Sequence, residues 1–287
     1  MATIKFWGVR GSIPTPGPST VKYGGNTACA ELRYKDKLFI LDAGSGIREL
    51  GLELMKQGTG IRASILISHL HWDHIQGIPF FVPALVPGND FTFYGAEDPE
   101  KDLATIIAEQ MNPINFPIEL KDMGSKLHFT PLSEGSYVID DIKVDTIFIN
   151  HPGYALGYKL HFEERTLVYI SDNEPFSSAQ DKNEPYIGED GREKLLNFIK
   201  HATVLIHDAQ YTPEEYKSRV TWGHSPYDYT VHLGLDANVE QLILFHHDPM
   251  HDDETLDNLY ENAFKIVKES GSEMELLMAR EGAIYEF

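Results

Sequence analysis

The 287-residue sequence predicts an α/β fold in which a sheet-containing core carries helices on its outer faces. Two observations carry this reading. Apolar runs of strand length alternate with helical patterns through both halves of the chain, and five of those runs end in histidine or aspartate. A composition of 42% hydrophobic and 24% charged residues is that of a globular protein with a large core to bury. No repeat, low-complexity segment or shift of composition marks a boundary, so residues 1–287 read as one domain.

Ile4-Lys5-Phe6-Trp7-Gly8 opens the chain as a strand, and Pro14-Thr15-Pro16-Gly17-Pro18 is a loop too rigid to be helix. Cys29–Arg33 and Leu38–Asp42 read as strands joined by a hairpin turn at Tyr34-Lys35-Asp36-Lys37. Ala43-Gly44-Ser45-Gly46 turns into a helix over 47–57, and a strand follows from Ile61 to Ser68. The next helix is expected from Pro99 to Gln110, with Asp98 as N-cap and proline at its first position. Lys126–Thr130, Tyr137–Ile139 and Ile142–Ile149 read as strands, and helices are expected over 191–201, 213–219, 226–234 and 253–269.

Charge narrows the partners. The formal net charge is -20, with 24 basic residues against 44 acidic ones. Tracking a polynucleotide takes clustered Lys and Arg, so a small-molecule substrate is expected rather than a long nucleic acid. Cys29 is the single cysteine and forms no internal disulfide. Together with the lack of a signal peptide or an 18-residue apolar stretch, this sets the expectation of a cytoplasmic protein without a membrane span.

The densest functional signal is His69-Leu70-His71-Trp72-Asp73-His74, which follows the apolar run Ile65-Leu66-Ile67. Histidines at i and i+2 of an extended segment share a side and suit one metal, while Asp73 and His74 lie beyond the turn, in reach of a second. Four more runs end alike. Val144–Asn150 leads to His151, Thr166–Ser171 to Asp172, Thr203–Ile206 to His207-Asp208, and Gln241–Phe245 to His246-His247-Asp248. One such residue after a strand is ordinarily a capped or solvated side chain; five point to a shared sheet edge.

These residues, with Leu41-Asp42-Ala43-Gly44, resemble the motifs of the metallo-β-lactamase fold superfamily over nearly the whole chain. The resemblance implies a four-layered αββα sandwich with two metals at one edge of the facing sheets. It also implies roles: His69, His71 and His151 for the first metal; Asp73, His74 and His246 for the second; Asp172 as the bridge. Asp42 is implied to support the ligand loop rather than bind metal. Thr166–Pro175, Val204–Tyr211 (with Asp208 where glutamate is usual), Trp222-Gly223-His224-Ser225, Gly8–Ser12 and Gly24–Thr27 are similar to the ribonuclease Z and cyclic phosphodiesterase branch. Only 20 residues separate His151 from Asp172, too few for the tRNA-gripping arm that many ribonuclease Z enzymes insert there.

The branch implies a phosphodiesterase acting on a small cyclic nucleotide or cyclic phosphate, its nucleophile a hydroxide formed from a water shared by two metals. Asp73 is a candidate to orient or deprotonate that water. His224 is a candidate to contact phosphate or protonate the leaving oxygen, and Asp208 to hold its tautomer. The competing readings are a capping or surface role for His224 and a structural acceptor role for Asp208. Imidazole and carboxylate donors suit Zn²⁺ first, with Mn²⁺ and Fe²⁺ accepting the same set. The diiron oxygen-reducing members carry glutamate where His71 stands, which argues against redox chemistry. His247 reads as solvated. Pro79–Pro83, Met111–Pro117 and Tyr154 are candidates to line a substrate pocket, against ordinary core packing for the first two. The other functions to separate are a lactone, ester or thioester hydrolase with the same centre, and a metal-binding sensor without turnover. The branch also implies a homodimer, which no residue pattern here establishes.

Overall fold

The computed structural model describes residues 1–96, 100–176 and 190–287. The first half of the chain contributes β1 (Ala2–Gly8), β2 (Cys29–Tyr34), β3 (Lys37–Leu41), α1 (Ile47–Met55), β4 (Arg62–Leu66), α2 (Trp72–Ile75), β5 (Asp90–Ala96), α3 (Leu103–Gln110) and β6 (Lys126–Leu132). The second contributes β7 (Gly135–Ile139), β8 (Ile142–Phe148), β9 (Leu156–Phe162), β10 (Arg165–Ile170), α4 (Gly191–Ile199), β11 (Val204–Asp208), α5 (Pro213–Tyr216), α6 (Tyr227–Asp236), β12 (Gln241–Phe245), α7 (Asp253–Ser270), β13 (Glu275–Met278) and β14 (Ile284–Glu286).

Two seven-stranded sheets result, ordered β14-β1-β2-β3-β4-β5-β6 and β13-β12-β11-β10-β9-β8-β7. Each is antiparallel on one side and parallel on the other. β3, β4, β5 and β6 run parallel in the first sheet, as do β10, β11, β12 and β13 in the second. The last strand, β14, returns to pair with β1, so the chain's two ends close one sheet edge.

Side-chain alternation sorts the core into three sets. Phe39 and Leu41, Leu167 and Tyr169, and Ile243 and Phe245 face inward between the sheets. Their neighbours Ile40, Ile65 and Ile67 pack beneath α1 and α3, and Val168, Leu205, Leu242 and Leu244 beneath α4, α6 and α7. The layers are therefore helix, sheet, sheet, helix. Strands buried on both faces need apolar residues at every position, which is why β10, β11 and β12 read as unbroken apolar runs.

The structure adds β5, β9, β13 and β14 to the strands read from sequence. β9 carries Gly157, Lys159 and His161, and its polar residues are half-buried beside β8 and β10 rather than in the core, which breaks the apolar signal. The helix expected from Pro99 begins instead at Leu103, capped by Asp102, whose side chain accepts from the Thr105 N–H. Asp98 and Pro99 lie outside the described residues.

Candidate metal centre

The ligand-bearing loops leave the C-terminal ends of strands that, within each sheet, share a direction. β3 and β4 run parallel, as do β10, β11 and β12, and β8 and β10 are both antiparallel to β9. His69 and His71 follow β4. His71 stands at φ −66°, ψ 151° as the N-cap of α2, which puts Asp73 and His74 in that helix's first turn.

Two sets of donors converge there. Nε2 of His69 lies 2.9 Å from Nδ1 of His71, which in turn lies 3.0 Å from Nε2 of His151. Nε2 of His74 lies 3.2 Å from Nε2 of His246, 3.3 Å from Oδ2 of Asp73 and 3.2 Å from Oδ1 of Asp172. Oδ2 of Asp172 is 3.7 Å from His69, 3.9 Å from His151 and 3.4 Å from His246, so this carboxylate stands between the sets. The structure thus brings all seven sequence-read ligand candidates to one place.

The residues fit divalent cations. Rings that each use their other nitrogen as a donor cannot also donate to one another. A tetrahedral ion with nitrogen ligands at about 2.0–2.1 Å would hold them about 3.3 Å apart, close to these separations. Oδ1 of Asp172 is buried and accepts no hydrogen bond among the described residues. Burial holds His69 well below its ordinary pKa and His151 down at about 3, leaving neutral rings with a lone pair to give. His74 differs: burial opposes its charge, but Asp172, Asp73 and Asp42 outweigh burial and raise it well above the usual value. Burial would likewise raise Asp73 and Asp172, yet the surrounding histidines hold both far below the carboxylate range. This pocket calls for positive charge.

In His74, His151 and His246 the remaining ring nitrogen is oriented by a buried partner. Nδ1 of His74 donates to Oδ2 of Asp42 at 2.8 Å, and the same carboxylate accepts from Ser68 N, Ser68 Oγ and Tyr169 Oη at 2.7–2.8 Å. These bonds hold Asp42 at φ 59°, a left-handed conformation that persists only where surroundings over-determine it. Nδ1 of His151 donates to the Gly223 carbonyl at 2.9 Å, and Nδ1 of His246 to Oε1 of Gln210 at 2.9 Å. Ser12 donates its backbone N–H to Oδ2 of Asp73 at 2.7 Å. Sequence reading assigned no role to Gln210, Gly223 or Ser12. A backbone donor or acceptor leaves no side-chain signature, and Gln210 stands within the Val204–Tyr211 motif without a charge to single it out.

His224 is 8% exposed and belongs to no helix cap; α6 starts after Pro226. Its Nδ1 lies 3.1 Å from Oδ2 of Asp208. Asp208 also accepts from the N–H groups of Asn173, Gln210 and Ser225. Burial opposes charge on His224, but Asp208, then Asp172 and Asp73, raise its pKa to about 9. His207 turns away from the donors, its Nδ1 bonded to the Asp208 carbonyl. His247 corrects the expectation of solvation. It is 1% exposed and bonds the Ala279 carbonyl at 2.8 Å, because the chain returns there to β13 and covers it.

A cleft of about 460 Å³ opens on the cluster, lined by Ser12, Leu70, His71, Trp72, Asp73, Asp172 and His224. Tyr154 lines a smaller adjoining cavity with His69 and His71. The other two expected pocket segments are placed differently. Pro79 and Phe81 are buried, Phe80 packs edge-on against Phe116, and Met111-Asn112-Pro113 border a separate groove along α3. Among the described residues no helix is long and apolar enough to cross a membrane.

Comparison with known proteins gives the same picture. A family model described as the beta-lactamase superfamily domain matches residues 38–247. A ribonuclease Z of Picrophilus torridus is 24% identical over 312 aligned positions, covering 96% of this chain and 94% of that protein. Human tRNase Z, short form, superposes with a TM-score of 0.65 at 19% identity, covering 99% of this chain and 98% of the other. A diphosphatase from the PhnP family superposes with a TM-score of 0.67 at 16% identity, covering 100% and 98%.

Proposed function

This chain belongs to the beta-lactamase superfamily, and from that premise we propose that it is a two-metal phosphoric diester hydrolase acting on a small substrate, a cyclic nucleotide or other cyclic phosphate. The observation that carries the reading is the pair of donor sets sharing Asp172, with His224 held by Asp208 at the same cleft. His69, His71 and His151 would hold one metal, Asp73, His74 and His246 the other, and Asp172 both. Zn²⁺ is the first choice, since Mn²⁺ and Fe²⁺ accept the same donors but imidazole favours zinc. When bound, two such ions supply Lewis acidity that lowers the pKa of water and offsets phosphodiester charge.

The chain's own residues do the rest. Asp73, aimed by the Ser12 N–H, orients or deprotonates the attacking water. His224, with Nδ1 committed to Asp208, offers Nε2 to a phosphate or leaving oxygen. Leu70 and Trp72 give the cleft an apolar wall, and its volume is in the range of small-molecule sites. The net charge of -20 supports a small substrate over a long polyanion.

A second reading, cleavage of a structured RNA, is favoured by the similarity to ribonuclease Z along almost the whole chain. A panel of cyclic nucleotides, cyclic phosphosugars, bis(p-nitrophenyl) phosphate, lactones and tRNA, assayed with Zn²⁺ and Mn²⁺, separates these. The expected result is turnover of the small diesters. RNA cleavage well above diester turnover would give the second reading precedence, and lactone turnover alone would overturn both. Two bound metals without any turnover would leave a sensor.

A further inference from the structure

Glu174 lies two residues beyond Asp172 and is 4% exposed, yet it joins none of the potential metal-binding groups among the described residues. Its carboxylate is taken up by the segment that carries His224. Oε1 accepts from Tyr216 Oη at 2.8 Å and from the Thr221 N–H at 2.7 Å, and Oε2 accepts from the Gly223 N–H at 2.9 Å. The Glu174 N–H donates in turn to the Asn150 carbonyl beside His151. One residue, through its backbone N–H and its carboxylate, therefore ties together the loops that follow β8 and β10 and the turn before His224.

That turn is strained. Thr221 is β-branched and stands at φ 77°, and Gly223 at φ 86°. A branched residue in the left-handed region persists only where its surroundings hold it, and such outliers gather at working sites. Gly223 donates to Glu174 and accepts from Nδ1 of His151 on its other side.

We propose that Glu174 is a positioning residue: it clamps the 221–223 turn so that the Gly223 carbonyl fixes the His151 tautomer and His224 stands at the cleft. The inference rests on the two-metal reading above. Partners that orient a ligating histidine typically change metal affinity by about 10- to 100-fold when lost.

The test is Zn²⁺ titration of the chelator-stripped full chain, with His71→Ala and His246→Ala marking which binding step belongs to which set. Glu174→Gln retains one acceptor oxygen and turns the other into a donor, so it serves if Glu174→Ala fails to fold. Both variants are expected to bind Zn²⁺ about 10- to 100-fold more weakly at the His151 set alone, with kcat on bis(p-nitrophenyl) phosphate falling alongside. Thr221→Gly in the Glu174→Gln background should recover part of the affinity, since glycine adopts a positive φ without a clamp. Unchanged Zn²⁺ affinities in folded variants, even with a lower melting temperature, would overturn the proposal. Lost affinity that Thr221→Gly does not recover would overturn the clamp. A wild-type chain that takes up no divalent metal would overturn the two-metal reading and this inference with it.

Discussion

Oδ2 of Asp42, just past β3, and Nδ1 of His74, in α2, lie 2.8 Å apart, and both residues are fully buried. The bond fixes which nitrogen of His74 faces the donors, and it draws on a carboxylate that also binds Ser68 and Tyr169. Asp42→Ala would strand these groups and should cost about 3 kcal/mol in chemical denaturation. Asp42→Asn tolerates the left-handed backbone and should cost less, while weakening metal binding about 10- to 100-fold. Wild-type stability in the alanine variant would refute the role assigned to this bond.

Replacing His224 with alanine should lower diester turnover by about 10²-fold or more while metal content stays at the wild-type level. The comparison needs steady-state rates and elemental analysis on the same sample. Metal loss in this variant would instead make His224 a ligand, in keeping with its closeness to Asp172.

Two glycines should separate the half-sites. A Cβ on Gly11 would meet Cε1 of His246 at 2.4 Å, and one on Gly223 would meet Nδ1 of His151 at 2.4 Å in a backbone already at φ 86°. Both rings are held by buried bonds and have little room to yield. Gly11→Ala should empty the His246 set and Gly223→Ala the His151 set, each leaving about one metal per chain. Full stoichiometry in either would show that the ring can move.

Stripping metal should destabilise the fold, because buried carboxylates and imidazole lone pairs then face one another uncompensated. Calorimetry with chelator, and again with added Zn²⁺, should show a melting temperature that rises with free Zn²⁺. At 100 times Kd the linkage amounts to about 2.7 kcal/mol. A melting temperature indifferent to Zn²⁺ would mean that the donors bind nothing in the folded state.

Much of this protein was legible in its sequence, and for a physical reason. Strands buried on both faces must be apolar throughout, so β10, β11 and β12 announced themselves, and so did the residues ending them. The strands passed over were β5, β9, β13 and β14, of which the last two are four and three residues long and β9 carries polar residues in alternation. The helix start was displaced because Asp102 caps through the Thr105 N–H, a local bond that the more prominent Asp98-Pro99 pair obscured.

By itself the sequence determined a sheet-containing core with helices outside it and the apolar runs that end in histidine or aspartate, since periodicity along the chain expresses both. The four-layered sandwich and the set of seven donors came from its resemblance to a known family. Only the tertiary structure decided how the donors are held. Asp42 meets Tyr169 across 127 positions, Gly223 meets His151 across 72 and Gln210 meets His246 across 36. Such pairs leave no pattern in a linear chain, because the energy that selects them is the cost of burying a polar group unpaired, and burial exists only once the sheets have packed.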